Sequence, residues 1–421
     1  MSEADLHRSI EAVWRIESTR LVAALVRITR DVALAEDLAQ DALEAALSQW
    51  ARDGIPANPA AWLMAVAKRR AIDGFRRRER QDRAYAEVAE RRGADVVDGI
   101  ESAIDHVDDD VLRLMFICCH PSLGSDAQVS LTLRLLAGLT AREIARSFLT
   151  SESTVAARIT RAKKTLARVE APMEEPSPDE RAERLTGVLR VVYLLFNEGY
   201  SATAGDDLLR PGLCDEAIRL GRVLAALVPG DPEVLGLVAL MDLQHSRAAA
   251  RTDAEGAPVL LPDQDRTRWD GLLVRRGLAA LDRASAVPGS PGPYVLQAEI
   301  AACHSRARVA EATDWARVAT LYESLAVLTG SAVVELNRAV AVSKAAGPAA
   351  GLALVDQLID LPELSGYHLL PSVRGDLLAQ LGRVDEARGE LARAATMTDN
   401  QQERTFLLGR AADLDNEGPR P

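Results

Sequence analysis

Residues 139–166 read LTAREIARSFLTSESTVAARITRAKKTL, and their pattern decides the fold of the surrounding segment. Thr140-Ala141-Arg142-Glu143 is a capping box: the Thr side chain accepts from the Glu143 backbone N–H, and the Glu carboxylate reaches back to Thr140. A short helix therefore starts at Ala141, with Ile144 and Ala145 facing inward. Phe148-Leu149-Thr150 make a turn, and a second helix from about Ser151 buries Val155, Ile159, Ala162 and Leu166. Its other side carries Ser153, Thr154, Ala157, Arg158, Arg161, Lys163 and Lys164. This is a helix-turn-helix pattern, which sets the N-terminal residues of the second helix on base edges in the major groove and its basic end near phosphates. Similar helix pairs occur in helical proteins that never touch DNA, so the pattern alone leaves the partner open.

Upstream, Asp31 to Trp50 places Leu34, Leu38, Leu47 and Trp50 at spacings compatible with one buried helical stripe. Asp37, Asp41 and Glu44 share another face, where like charges at i, i+4 cost a few tenths of a kcal/mol unless something outside the helix uses them. A solvated acidic face and a partner-binding face both fit. Gly54-Ile55-Pro56-Ala57 interrupts, and Asn58-Pro59 starts a new helix with Asn as N-cap and Pro at the first helical position. Trp62, Val66, Arg69, Asp73, Arg76, Arg77 and Arg80 follow at helical spacing. An arginine-rich face with an aromatic at one end suits phosphate contact and stacking on an unpaired base, and equally an ordinary core Trp beside solvated arginines.

Charge is distributed unevenly along the 421 residues. The net charge is −12, yet residues 1–169 hold 25 Lys+Arg and 25 Asp+Glu, so the acidic excess lies in the C-terminal part. Residues 68–83 carry eight basic and three acidic residues, while 95–110 carry seven acidic ones and no Lys or Arg. A basic patch is followed by an acidic spacer, read as a flexible linker over residues 84–110. Asp108 to Cys119 then reads as a helix stopped by His120-Pro121. Ala127 to Leu136 is another, ended by Gly138.

Alanine, leucine and arginine abound and aromatics are 4%, which points to an all-α protein of two to four domains. No apolar run approaches a membrane span and the start lacks a signal-peptide core, so a cytoplasmic protein without membrane association is expected. Cys118, Cys119, Cys214 and Cys303 are too few and too scattered for a disulfide framework and should be reduced. Pro172 to Pro178 is a linker rich in Pro and acid. Beyond it, Asp314 and Ala349 are 35 apart, as are Gly347 and Gly382, and Ala387, Leu391 and Ala395 mark an inner helix face. A period near 34 with paired helices is the signature of tetratricopeptide-like stacking. Asp215 to Leu243, with Pro229 and Pro232 between two helices, is a looser copy.

The segments Ala35-Glu36-Asp37-Leu38-Ala39-Gln40-Asp41-Ala42, Asn58-Pro59-Ala60-Ala61-Trp62-Leu63 and Ala71-Ile72-Asp73 resemble region two of extracytoplasmic-function sigma factors of bacterial RNA polymerase. Leu139 to Lys164 is similar to their region four, in the same order and spacing. Cys118-Cys119-His120-Pro121, Leu195 to Tyr200, Trp269 and Ala301-Ala302-Cys303-His304 resemble a subgroup with a long C-terminal tetratricopeptide-like extension. The resemblance implies two small helical sigma domains, at 1–90 and 108–170, joined by the acidic linker 91–107. A second linker, 171–180, would lead to a helical solenoid over 181–415. Asp37, Gln40, Asp41 and Glu44 would bind core polymerase, whose clamp and flap regions are the implied contacts. Asn58, Trp62, Arg69, Arg70, Asp73, Arg76 and Arg77 would open and read the minus-ten element of promoter DNA. Ser153, Thr154, Arg158, Arg161, Lys163 and Lys164 would read the minus-thirty-five element. The acidic spacer would thread toward the RNA exit path. Ala156, Ala157 and Leu149 depart from residues common in the family, which leaves the promoter sequence open.

Competing chemistry is weak. Cys118, Cys119 and His120 point in different directions from one helix and lack a second ligand pair, so core packing is expected rather than zinc. Cys303 and His304 diverge by about 100° as helix neighbours and do not make a nucleophile and base; a buried thiol beside a helix-end His is expected. Asn197-Glu198-Gly199-Tyr200 invites an active-site reading, but Gly after a long helix is usually a C-terminal cap. No cofactor, metal or catalytic residue is expected, and no enzyme. The alternative is a polymerase-independent helix-turn-helix regulator with a tetratricopeptide sensor. In either reading the solenoid is expected to take a protein or peptide partner.

Overall fold

A computed structural model of the chain describes residues 3–82, 107–148, 150–169, 178–200, 211–253, 258–398 and 400–416. Among them there are eighteen α-helices, short 3-10 turns and one isolated bridge, Thr252 with Pro258, but no strand. The fold is all-α, with the two sigma-like segments followed by a helical C-terminal part. The chain forms two compact units, Met1–Leu194 and Leu195–Pro421.

The first unit begins with α1 (Glu3–Thr29), α2 (Val32–Asp53) and α3 (Pro59–Asp82). Asp31 caps α2 by accepting from the Ala33 and Leu34 amides at 2.8 and 3.1 Å, and Gly54 ends it at φ 80°. Asn58 accepts from the Ala61 amide at 3.0 Å to start α3, as its sequence position requires. The buried stripe of α2 differs from the expected one. Leu38 and Trp50 are buried, but Leu34 and Leu47 are only half-buried, and Val32, Ala35, Ala39, Ala42 and Ala46 fill the seam instead. Small side chains admit the close approach of α1, which packs on α2.

Then follow α4 (Val107–Cys118), α5 (Ser125–Leu135), α6 (Ala141–Ser147) and α7 (Glu152–Arg168). Cys118 and Cys119 are buried core residues, and burial pushes the Cys119 thiol up to about 12. Apart from Val107 and residues 178–180, the linkers expected at 91–107 and 171–180 lie outside the described residues. The two sigma-like segments are in contact: α1 packs on α4 and α5, and α2 on α7. The division between units falls at Leu194, inside α8 (Pro178–Tyr200), rather than at 171–180.

In the second unit, α9 (Pro211–Leu227) and α10 (Pro232–His245) are followed by α11 (Gly271–Ser285), α12 (Pro293–Arg306), α13 (Trp315–Thr329) and α14 (Ala332–Ala346). The last four helices are α15 (Pro348–Val355), α16 (Leu369–Gln380), α17 (Val384–Met397) and α18 (Gln401–Asn416). Apart from α12, which packs more on α10 than on α11, each packs mainly on its sequence neighbours, the arrangement of stacked helical repeats. Gly347 and Gly382 lie in equivalent turns at φ 96° and 75°, a backbone region that favours glycine, which explains the 35-residue spacing. Leu391, Ala394 and Ala395 of α17 bury against Leu407 and Ala411 of α18.

Gly199 is not a helix cap. It lies inside α8, and a Cβ there would sit 2.6 Å from the Cys214 backbone nitrogen and 2.9 Å from its Sγ. The glycine makes room for the start of α9. Cys303 is half-buried rather than buried, whereas His304 beside it is buried and packs edge-on against Trp315, ring centroids 5.2 Å apart.

Candidate nucleic-acid interface

The helix-turn-helix has the geometry its sequence demands. Glu143 accepts from the Thr140 amide at 2.8 Å, and its own amide donates to the Thr140 hydroxyl at 3.2 Å. Ser151 caps α7, accepting from the Thr154 amide at 3.1 Å. Val155, Ile159, Ala162 and Leu166 are buried, leaving Ser153, Thr154, Arg161 and Lys164 exposed in a row on the other side. Arg158 is half-buried and forms an ion pair of 3.0 Å with Asp126 of α5. Arg158, Arg161, Ala162 and Thr165 face Ser122 to Ala127 across an open cleft of about 420 Å³.

Lys163 departs from the expected exposed row. Its ammonium pairs with Glu36 of α2, and its side chain is only 16% exposed. Glu36 is buried and also accepts from Arg134 Nε at 2.6 Å. Burial alone would raise the Glu36 carboxyl, but Arg134 and Lys163 outweigh it and hold the group below the ordinary carboxylate range. Glu36 is absent from the expected site residues because it lies beside the acidic face rather than on it.

On α2, Asp37 and Glu44 are exposed, Asp41 and Gln40 partly so. Asp41 pairs with Arg70 of α3 at 3.0 Å. Gln40 lines a narrow cleft with Trp14, Glu36, Arg134 and Gly138. Trp62 is half-buried and meets Trp50 edge-on at 5.2 Å, so one face of the ring is anchored in the core. Asn58, Arg69 and Asp73 are exposed on the same helix and its cap. Arg76 and Arg77 continue α3, their side chains lying outside the described residues.

Two models of known families fall on these helices: sigma-70 region 2 matches residues 15–81 and sigma-70 region 4 matches residues 113–166. The ECF RNA polymerase sigma factor SigK of Mycobacterium sp. strain KMS is 29% identical over 153 residues, covering 35% of this chain and 76% of that protein. The same identity and coverage hold for the protein of that name in Mycobacterium sp. strain JLS. The chain belongs to the extracytoplasmic-function sigma factors. A family of unknown function, DUF6596, matches residues 184–285 of this sigma factor and marks its C-terminal extension. Both parts recur in an uncharacterized protein of Rhizobium meliloti strain 1021, 46% identical over 390 residues, 92% of this chain and 91% of that one.

Sigma factors of this family act with core RNA polymerase in recognising promoter DNA, and their families are non-enzymatic. No described helix of the protein is long and apolar enough to cross a membrane.

In the extension, three segments singled out in the sequence converge. The Tyr200 hydroxyl lies 2.7 Å from Arg247, whose guanidinium stacks over Trp269, and Arg251 covers the Tyr200 ring at 3.7 Å. Arg266 stacks on the other ring contact of Trp269 and donates to the carbonyls of His304 and Ala307 at 2.5 and 2.8 Å. Burial, then Arg247 and Arg266, push His304 down to about 4. The guanidiniums are held by π faces and carbonyls, which makes this cluster a packed joint between α8, α10 and α12.

Proposed function

We propose that Asp37, Asp41 and Glu44, with Gln40 at their edge, form the core-polymerase contact of this sigma factor. Asn58, Trp62, Arg69, Arg70, Asp73, Arg76 and Arg77 engage the minus-ten element. Ser153, Thr154, Arg158, Arg161, Lys163 and Lys164 engage the minus-thirty-five element. The observation that carries this reading is the pairing, within one compact unit, of an exposed acidic face on α2 with an exposed polar and basic face on α7. A free-standing operator-binding regulator has no use for the first.

The helical extension modulates that activity through a protein or peptide partner, with core polymerase itself as the first to test. Its acidic excess supports this, since a negative body repels phosphates and favours binding only when polymerase supplies additional contacts. The experiment is binding to bacterial core RNA polymerase, full-length protein beside a chain ending at Leu194. Binding by both supports a sigma factor with an accessory extension. Binding by the full-length protein alone makes the extension part of the docking surface, and binding by neither overturns the polymerase contact.

A further inference from the structure

In the extension, Arg247-Ala248-Ala249-Ala250-Arg251 follows α10 as one 3-10 turn, Ala248–Ala250, with an arginine at each end. Both guanidiniums lie over the Tyr200 ring, 5.9 and 3.7 Å from its centroid. A second such turn, Arg266–Arg268, brings Arg266 onto Trp269 at 4.8 Å, and Arg247 reaches the same indole at 5.8 Å. Arg247 thus shares an aromatic ring with each of the other two, and three cations crowd one place. Arg247 is 8% exposed, while Arg251, Arg266 and Trp269 are half-buried, so the cluster keeps an outer face toward solvent.

Among the described residues, no carboxylate pairs with any of the three. Their hydrogen bonds go to uncharged acceptors: the Tyr200 hydroxyl and carbonyl, the His304 and Ala307 carbonyls and the Thr313 hydroxyl. Asp265 and Asp270, which flank Arg266 in sequence, are engaged by the Thr267 amide and by the Leu272 and Leu273 amides. Other arginines of the same unit do find carboxylates: Arg222 pairs with the buried Asp242 at 2.8 Å, and Arg374 with Asp356 and Glu390 at 2.9 and 2.8 Å. Carboxylates are in excess in this part of the chain, yet none sits at the cluster. Cations withdrawn from water without a counter-charge are costly. The neighbours record the resulting positive field: burial, then Arg247 and Arg266, push His304 down to about 4, and burial followed by Arg247 lowers Arg266. Arg266 Nε, Trp269 Nε1 and His304 Nδ1 are also buried without a hydrogen-bond partner, the last on a residue only 7% exposed.

We propose that Arg247, Arg251 and Arg266 bind the phosphoryl group of a small phosphorylated molecule, with Tyr200 and Trp269 as the walls of the site. A carboxylate would leave two of the three charges uncompensated, whereas a phosphoryl group carries about −1.5 to −2 at neutral pH and offers three oxygens to the guanidinium forks. The two rings hold the guanidiniums in place before the ligand arrives, so little side-chain freedom is lost on binding. A small dianion suits the site better than nucleic acid, because the acidic excess of the surrounding extension repels a polyanion while the local cations hold a single group. The site is independent of the promoter and polymerase assignments, and gives the extension a ligand besides a protein or peptide partner.

The test is calorimetric titration of the full-length protein in buffer free of phosphate and sulfate, with inorganic phosphate in one arm and adenosine monophosphate in the other. Saturable binding of phosphate supports the site with the phosphoryl group alone as sufficient; binding of the nucleotide only supports it with a contribution from the attached group. No saturable binding of either at millimolar concentration would overturn the proposal. Because basic residues of α3 and α7 also attract phosphate, hydrogen–deuterium exchange with and without the probe locates the site on the wild-type chain. Slower exchange over residues 245–253 and 264–270 is expected, and slowing confined to residues 58–82 and 151–168 would refute it. Arg251→Gln should weaken binding about tenfold or more through loss of a charge-assisted hydrogen bond, and Arg251→Lys, which keeps the charge without the fork, should recover part of it. A folded Arg251→Gln protein with wild-type affinity would place the phosphate elsewhere, and if that variant does not fold the exchange pattern of the wild-type chain decides.

Discussion

Asp41 on α2 and Arg70 on α3 are joined by an ion pair of 3.0 Å, with side chains 48% and 39% exposed. A carboxylate of the face proposed for polymerase and a guanidinium of the face proposed for the minus-ten element therefore share one contact. Exposed pairs of this kind contribute about 0–1 kcal/mol, so the pair does little for folding and is free to exchange partners. Asp37→Arg with Asp41→Arg should abolish binding to core polymerase in gel filtration while far-ultraviolet circular dichroism retains the helical signal. Retained binding would remove this face from the polymerase contact.

Acid should weaken the two units in separate pH windows. His304 is held neutral in the second unit, its value pushed down to about 4 by burial, Arg247 and Arg266. The folded value lies below the unfolded one, so its contribution is complete above about pH 6.5 and is lost as pH falls toward 4, about 3 kcal/mol in all. Glu36 in the first unit is also depressed, so its contribution is complete above about pH 4.5 and is lost only below that. Urea titrations at pH 7, 5 and 4 should show the first loss abolished in His304→Gln and the second reduced in Glu36→Gln.

Gly199→Ala should destabilise the second unit by about 1–3 kcal/mol through overpacking, because its Cβ would overlap the Cys214 backbone. Thermal unfolding at neutral pH reads this directly. A neutral effect would mean that α9 moves away at no cost.

That glycine shows where sequence reading stops. Caps and periodicity are local, so Asn58, Thr140, Glu143 and Ser151 declared α3, α6 and α7 by themselves, and the four buried residues of α7 were legible from spacing alone. Gly199 marks close approach by Cys214, fifteen residues later on another helix, which no local pattern encodes. Glu36 had a signal that leucines obscured: Val32, Ala35, Ala39, Ala42 and Ala46 define the apolar stripe of α2, and Glu36 falls on it. A carboxylate on an apolar stripe calls for a buried cation, but only the packing of α2 against α7 identifies Lys163 as one of them.

The acidic extension makes a separate electrostatic prediction. A chain ending at Leu194 should bind duplex DNA more tightly than the full-length protein at low salt, and the difference should shrink as ionic strength rises and the Debye length falls to about 8 Å. Fluorescence anisotropy across a salt series tests it. Equal affinities and salt slopes would show that the extension does not act by repulsion.

Arg158 offers the sharpest test of the recognition helix, because Asp126 holds it at 3.0 Å on the wall of an open cleft. To reach DNA it must leave that carboxylate, which is 76% exposed and rehydrates readily. Asp126→Asn should therefore tighten promoter binding by the holoenzyme modestly, through removal of a competing anion. Arg158→Ala should weaken it by about 1–3 kcal/mol if Arg158 reads a base, with relaxed discrimination at one position of the minus-thirty-five element. Lys164→Ala should instead weaken all sequences alike and lower the salt slope by about one. Competition footprints on a promoter library distinguish the two patterns, and a uniform loss for Arg158→Ala would assign that residue to the phosphates.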